Sequence, residues 1–214
     1  MIRGRDAAER LRRFRYPQPV KRDRKILNAA QRLFTDRGFD AVGIDEVGEA
    51  AGITGPAIYR HFSGKDEILG TLFDEAVDAL LLAVGDHEFD DPAEELAFLA
   101  QAHAQFVLEH QELASILIRD DRSLAEPFRR RHHRRERPYI ERWIGCLGRC
   151  FPERTADEIT SATFATLHML NSPGTWPQSA RKSPNLADLL AQMALGGLAT
   201  LSSPTKAGAS VPQA

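Results

Sequence analysis

The sequence has few of the features that mark secreted or membrane proteins. Only two of its 214 residues are cysteine, too few for a disulfide scaffold and without partners at zinc-ligand spacing. The longest weakly polar stretch, 191–203, is shorter than the roughly 18 apolar residues of a membrane span. The first twenty residues lack the apolar core of a secretory signal. These absences predict a soluble cytoplasmic protein with no membrane partner, no metal and no cofactor.

Charge is distributed unevenly along the chain. The net charge is −2, but residues 1–25 contain ten lysines and arginines against three acids, so all of the negative balance lies in the remainder. A basic arm on an acidic body indicates a polyanionic partner at one end only. The alternative is a solvated tail that binds nothing.

Hydrophobic periodicity predicts an all-α protein. Apolar residues recur at helical spacing in 26–34, 68–80, 96–110 and 140–151, and neither a strand pattern nor a repeat is present. Gly38 is expected to end the first of these helices. The predicted organisation is a basic N-terminal arm (1–20), a small helical domain (21–66), a larger helical domain (67–203) and a disordered tail (204–214).

Four capping signals set the expected helix starts. Asp91 precedes Pro92, which suits the first helical position. Ser63 with Asp66, and Thr155 with Glu158, have capping-box spacing. Ser183 and Pro184 are expected to start the last helix.

Residues 44–62 have the proportions of a helix-turn-helix. Two short helices, the second over 55–62, flank Gly52, which permits a tight turn. Ala50 and Ala51 are expected to let the helices approach closely. Val47, Ile53 and Ile58 can form the small core between them. This arrangement exposes the start of the second helix, which can enter a major groove of DNA.

The segment Arg22–Leu69, about 50 residues, resembles the TetR family of transcriptional regulators. It contains FTDRGFDAV, then TGPAIYRHFSGKDEIL, in which the spacing of Gly52, Tyr59, His61, Phe62 and Lys65 is specific for that family. The rest of the chain is similar to the family only in the number and length of its helices. The resemblance implies that 21–66 is a three-helix DNA-binding domain with a helix-turn-helix and that 67–203 is a domain for effector binding and dimerisation.

The resemblance implies roles for individual residues. Tyr59, His61 and Lys65 would contact phosphates, whereas Gly55, Pro56 and Arg60 would face base edges, with Arg60 the strongest hydrogen-bonding reader. Phe62 would belong to the core. The expected DNA-binding residues are Thr54, Gly55, Pro56, Tyr59, Arg60, His61, Lys65 and Arg22.

The sequence departs from the family pattern at the start of the second helix. Gly43 and Ile44 replace the usual hydroxyl residues, and Asp45 and Glu46 would repel phosphate if they faced it. Arginines 10–15, or residues 21–25, are therefore expected to follow the DNA backbone or enter an A·T-rich minor groove. The alternative is loose, screened attraction.

The second half of the chain offers candidates for an effector site. The expected lining of an apolar pocket is His103, Phe106, His110, Trp143, Phe164, Leu167, His168 and Trp176. The alternative for each is an ordinary core position, and a metal at His103 and His110 would lack a third ligand. The arginine cluster 129–137 is either a site for a phosphate-bearing effector such as an acyl-CoA or a solvated face paired with acids. Cys146 and Cys150 are either oxidant sensors or inert buried thiols.

These features together predict a homodimeric repressor, not an enzyme. Small residues in the last two long helices would allow a four-helix dimer interface, as in the TetR family. A small lipophilic effector would release the dimer from a palindromic operator in double-stranded DNA. The alternative is an architectural or nucleoid-associated DNA-binding protein without an effector. No nucleophile and base pairing, phosphate loop or metal cluster supports catalysis.

Overall fold

A computed structural model describes residues 21–85 and 87–202, without the side chains of Lys21, Arg22 and Asp121. The basic arm (1–20) and the tail (204–214) lie outside the described residues. Within the described ranges the chain is helical and contains no strand, which confirms the all-α prediction. Short 3-10 turns cover 121–123, 172–175, 178–181 and 200–202. The helices are α1 (Lys21–Arg37), α2 (Ile44–Ala51), α3 (Gly55–Ile58), α4 (Lys65–Val84), α5 (Pro92–Glu109), α6 (Gln111–Asp120), α7 (Phe128–Cys150), α8 (Ala156–Asn171) and α9 (Leu186–Ala199).

Helix α4 connects two hydrophobic cores. Its buried residues from Ile68 to Ala83 pack with α1, α2, α3, α6 and the end of α5 around Phe34, Leu72 and Phe73, and this is the first core. Its last turn contributes Val84 to a second core, formed by α5, α7, α8 and α9 around Trp143. The first core therefore extends across the sequence boundary at residue 66, because α6 and the start of α4 pack against the DNA-binding helices. In the described part of the chain, no helix combines the length and apolar character needed to cross a bilayer.

Two of the predicted helix starts are confirmed. The Asp91 carboxylate accepts a hydrogen bond from the Ala93 amide (2.9 Å) at the start of α5. Thr155 and Glu158 form the reciprocal capping box of α8. Gly38 follows α1 with φ of +84°, the left-handed conformation expected of it.

The other two predicted caps are wrong. At the start of α4, Gly64 is the capping residue, and the Ser63 amide donates to the Glu67 carboxylate (2.6 Å), one residue beyond the expected Asp66. Helix α9 begins at Leu186, after Asn185, so Ser183 and Pro184 precede it. Capping spacing is a local signal, and helix boundaries are defined only to within about one or two residues. At α4 and α9 the capping residue is not the one that this spacing predicts.

The helix-turn-helix core contains the predicted side chains. Val47 and Ile58 are fully buried and Ile53 packs against them, while Gly52 adopts φ of +72° in the turn. The close approach of α2 and α3 does not use Ala50, which is exposed. It uses Gly48, because a Cβ there would lie 2.9 Å from the Gly55 nitrogen.

Helix α3 is shorter than expected. Its α-helical part is Gly55–Ile58, and the rest of the predicted 55–62 segment continues as tight turns. The His61 and Phe62 amides both donate to the Ile58 carbonyl, at 2.8 and 3.0 Å. The tighter winding brings Phe62 back into the first core, where it is 7% exposed.

We predict that Gly48→Ala destabilises the protein. The new methyl group would meet backbone atoms of α3, and overpacking of this kind typically costs about 1–3 kcal/mol. This exceeds the gain of about 0.5–1 kcal/mol from replacing glycine within a helix. Gly148→Ala is the matched control, since nothing lies within 4 Å of its Cβ position in α7. Urea unfolding of both variants measures the difference, and equal stability gains would contradict the packing argument.

Candidate nucleic-acid interface

Four of the predicted DNA-binding residues lie on the outer surface at α3. Thr54, Pro56, Tyr59 and Arg60 are exposed, and Tyr59 is 58% exposed although it is aromatic. Thr54 precedes α3, but its side chain makes no capping bond. A surface with a hydroxyl, an aromatic ring and a guanidinium is suited to phosphates and base edges.

Gly55 has a different position from the one expected. It is buried, and a Cβ there would lie 1.7 Å from an Asp45 carboxylate oxygen and 3.2 Å from the Asp45 Cα. Gly55 therefore serves the packing of α2 against α3 and does not present itself to a groove. The same contact places the Asp45 carboxylate at the start of α3.

Glu46 is turned towards the protein. Its carboxylate accepts a hydrogen bond from the Gly43 amide (2.8 Å) and pairs with Arg37 (2.6 Å). The Gly43 amide and, secondly, Arg37 lower the pKa of Glu46. Glu46 thus supplies the half of a capping box in which the third helical residue accepts from the capping residue's amide, and Arg37 compensates its charge.

His61 is paired inside the domain. Its Nδ1 lies 2.6 Å from the Asp23 carboxylate of α1. The side chain is 20% exposed, so it is less accessible than Tyr59. A phosphate contact by His61 stays a prediction, and the partner Asp23 was not anticipated from the sequence.

Lys65 also contacts the protein. Its Nζ donates to the carbonyls of Phe39 (3.1 Å) and Val42 (3.3 Å), in the turn between α1 and α2. An ammonium group has three donors, so a phosphate contact by the third also stays a prediction.

The basic residues at the start of α1 differ in the direction they face. The side chain of Arg22 and the arm 1–20 lie outside the described residues. Arg24 faces inward and forms a bidentate pair with Glu75 of α4 (2.8 and 3.0 Å). Desolvation raises the pKa of Glu75, opposed by Arg24. Lys25 is exposed. The predicted use of this segment on DNA therefore cannot include the Arg24 guanidinium while the pair is intact.

The eight predicted pocket residues do not converge on one site. Helix α8 buries Ile159, Thr163 and Leu167, so Phe164 and His168, on the opposite face, are exposed. The prediction that these two side chains line an internal pocket is wrong, because the inward face of α8 carries Ile159, Thr163 and Leu167 instead. Phe106 belongs to the first core and His110 stacks on it with ring centroids 4.8 Å apart. The second core contains Trp143 and Leu167, with Trp176 packed against it.

His103 lies within a buried polar network of the second core. The Tyr139 hydroxyl donates to its Nδ1 (2.6 Å), and its Nε2 donates to the Asn171 side-chain oxygen (2.9 Å). Burial lowers the pKa of His103 to about 4, so the ring is neutral at pH 7. The network joins α5, α7 and α8 through neutral groups.

The arginine cluster 129–137 is mostly paired with acids. Arg131 binds Asp74 (2.7 Å), and Arg135 binds both Asp74 and Asp78 of α4. On the outer face, Arg130 binds Glu126 and Arg137 binds Glu141. These pairs correspond to the expected solvated and acid-paired face.

The structure offers no metal site or reactive thiol in the described ranges. No group of three or more potential ligands is present there. Burial raises the pKa of both the Cys146 and the Cys150 thiols, and the Cys146 Sγ lies 3.3 Å from the Pro92 carbonyl. A raised thiol pKa keeps both groups protonated, and the protonated thiol is the unreactive form.

An open groove of about 360 Å³ lies between α5 and the start of α9. Gln101, Gln105 and Asp188 line it with other polar residues. None of the eight predicted pocket residues borders this groove. Its polar lining does not suit a lipophilic ligand.

Comparison with known protein families gives a match for each half of the chain. The family model "Bacterial regulatory proteins, tetR family" matches residues 26–72, and "Tetracyclin repressor-like, C-terminal domain" matches residues 90–198. The HTH-type transcriptional activator FasR of Mycolicibacterium smegmatis is 32% identical over 115 residues, which are 53% of this chain and 52% of FasR. The chain thus aligns with about half the length of this curated relative.

Solved structures share the fold over most of the chain. The TetR family regulator PfmR from Thermus thermophilus is 27% identical with a TM-score of 0.67, covering 82% of this chain and 96% of PfmR. AibR, solved with isovaleryl coenzyme A and operator DNA, is 21% identical with a TM-score of 0.70, covering 82% of this chain and 97% of AibR. The members of this family are transcriptional regulators, not enzymes. The two family matches and the exposed Tyr59 and Arg60 of the helix-turn-helix lead to one conclusion: the chain belongs to the TetR family of DNA-binding transcriptional regulators.

Proposed function

We propose that the protein is a homodimeric repressor that leaves a palindromic operator when a small lipophilic effector binds. The observation that carries operator binding, on which the rest of the proposal depends, is the outward presentation of Tyr59 and Arg60 on a tightly packed helix-turn-helix. Arg60 reads base edges, and the Tyr59 hydroxyl contacts a phosphate. Thr54 and Pro56 lie beside the groove wall, and Arg22 and His61 contact the DNA backbone. Gly55 contributes by letting α2 pack on α3.

We predict that Arg60→Met weakens operator binding and relaxes its sequence specificity. Removing a guanidinium that binds a base typically costs about 1–3 kcal/mol. Tyr59→Phe, which removes only a hydroxyl, should cost about 1 kcal/mol. Gel shifts on DNA from the protein's own promoter region, with scrambled DNA as competitor, measure both. Arg134→Gln is the control, since it removes an exposed cation from α7. Equal binding by all four proteins would remove α3 from the interface.

The dimer is proposed to form through α8 and α9. Their outer faces carry large exposed apolar side chains, with Phe164 at 44%, Leu189 at 47% and Met193 at 55% exposure. Gly196 and Gly197 have open space at their Cβ positions, which permits close approach of a second copy. A twofold dimer would place two reading helices about 34–36 Å apart, on successive major-groove faces.

We predict that Met193→Glu converts the dimer to a monomer. The charge would be buried and unpaired at the interface, which is strongly unfavourable. Leu82→Glu is the matched control, because Leu82 is 51% exposed on α4, away from α8 and α9. Sedimentation velocity should show a monomer only for Met193→Glu, and operator affinity should fall with it. A dimeric Met193→Glu protein would place the interface elsewhere.

The effector is proposed to bind in the second core, around His103, Trp143 and Leu167. These residues combine a few polar atoms with apolar surroundings, and because all three are buried, the helices around them must part to admit the ligand. An acyl-CoA is the specific proposal, with its phosphates on the outer arginines of α7. The complex of AibR with isovaleryl coenzyme A shows such a ligand on the same fold. The effector must bind the DNA-free state more tightly, by a coupling of typically about 1–3 kcal/mol.

We predict that Arg134→Gln weakens the binding of a medium-chain acyl-CoA but not that of the free fatty acid. Arg134 is exposed on α7 beside the paired Arg130 and Arg137. Arg131→Gln is the control, because Arg131 is engaged with Asp74. Calorimetry measures affinity, and gel shifts measure release of DNA. If neither ligand binds or releases DNA, the effector proposal fails and an architectural DNA-binding protein becomes the better interpretation. A reporter gene distinguishes repression from activation.

A further inference from the structure

We propose that Lys65 and Arg119 are positioning residues that hold residues 34–42. They thereby fix the orientation of the reading head relative to the effector-binding half, by which we mean the helices α5, α7, α8 and α9 of the second core. The 34–42 segment comprises the end of α1 and the turn that leads to α2. The reading head is α2 with α3. Lys65 is the first residue of α4 and Arg119 lies in the last turn of α6. The inference rests on the proposed DNA binding, since it assigns Lys65 a role in orienting the head.

Lys65 holds the turn after α1. Its Nζ donates to the carbonyls of Phe39 and Val42 and lies 4.3 Å from the centre of the Phe39 ring. The Phe39 ring contacts Phe34 edge to face, with centroids 5.3 Å apart. Two carbonyls and an aromatic face surround the ammonium, so it is bound on the protein side by both hydrogen bonds and a cation–π contact.

Arg119 holds the end of α1. Its guanidinium donates to the Phe34 carbonyl and to the Thr35 carbonyl, the latter at 3.1 Å. The Phe34 carbonyl also accepts from the Gly38 amide (2.9 Å), whereas the last carbonyls of a helix in general lack intrahelical partners and carry partial negative charge. A cation at that end is therefore favourable. Neighbouring contacts strengthen the docking of α6, because Gln31 donates to the Glu112 carboxylate at 3.0 Å.

The segment transmits its position to the reading head. Val42 is followed by Gly43, whose amide is held by Glu46 of α2, and Glu46 is held by Arg37 of α1. Helices α2 and α3 are in backbone contact at Gly48 and Gly55. The head therefore has little freedom to move independently of the 34–42 segment.

Both cations belong to helices that contact the effector-binding half. Helix α4 continues into the second core. Helix α6 packs against the turn after α8, where a Cβ on Gly174 would lie 3.1 Å from Ala114. If α4 or α6 shifts, its cation moves with it and displaces the 34–42 segment, to which the cation is hydrogen-bonded. The two positioning residues thus provide a physical connection between the effector-binding half and the head.

The salt dependence of DNA binding separates this role from a phosphate contact. Removing a cation that neutralises one phosphate makes the plot of log affinity against log salt shallower by about 0.9. A positioning residue changes affinity without changing the number of phosphates neutralised. Local amide hydrogen exchange gives a second readout, which requires no DNA.

The experiment compares Lys65→Met, Arg119→Met and Lys65→Gln with wild type and with Arg60→Met. Lys65→Met keeps the aliphatic stem and removes the donors, whereas Lys65→Gln keeps donors without charge. Arg60→Met is the control that removes an exposed cation from the head. Operator affinity is measured at several salt concentrations, and hydrogen exchange of residues 38–43 is measured in the free protein.

We expect Lys65→Met and Arg119→Met to lower operator affinity roughly tenfold with an unchanged salt slope, and to speed exchange at residues 38–43. Lys65→Gln should recover part of both effects. Arg60→Met should leave exchange unchanged. The proposal is overturned if Lys65→Met leaves exchange at residues 38–43 unchanged, or if it makes the salt slope shallower by the value of about 0.9 expected for one phosphate. Because exchange is measured without DNA, failure of wild type to bind any operator would refute the proposed function and leave this test intact.

Discussion

Helix α4 imposes the constraint on which the rest of the structure depends, because its buried surface serves two cores at once. Leu72 and Phe73 pack among the DNA-binding helices, and Val84 packs among the helices of the second core. A rigid helix rises about 1.5 Å per residue, so its two ends cannot move independently. Any rearrangement around the second core that tilts α4 must also move the start of α4, where it contacts the turn before α2.

The same helix is held by charges along its length. Arg24 of α1 binds Glu75, while Arg131 of α7 binds Asp74, and desolvation raises the pKa of both carboxyls. At the far end, Arg142 donates to the carbonyls of Gly85 (2.5 Å) and His87 (3.0 Å). Arginines that looked available for a polyanion in the sequence are thus used for packing helices together. The described cations of the head that remain outward, such as Arg60, carry correspondingly more of the proposed DNA contact.

Predictions of helix ends agree with the structure where they depend only on the conformation or hydrogen bonds of residues adjacent in sequence. Gly38 ends α1 with positive φ, and Asp91 caps α5. Predictions failed where a neighbour at a distance in sequence decides. The close approach of α2 and α3 occurs at Gly48 because Gly55 is placed there by the turn, and Ala50 points away. Phe164 and His168 face outward because the face of α8 that packs on the second core is the one with Ile159 and Leu167.

The sequence by itself determined the helical class, the helix-turn-helix and the family, because hydrophobic periodicity, glycine positions and a motif spaced over residues 52–65 are all local properties. Only the tertiary structure decided how the polar side chains are used. Whether Lys65 meets a carbonyl or a phosphate, or His61 meets Asp23, depends on which groups lie within about 3 Å after folding. Such distances are set by the packing of α1, α4 and α6 against each other, which no single segment of the chain specifies.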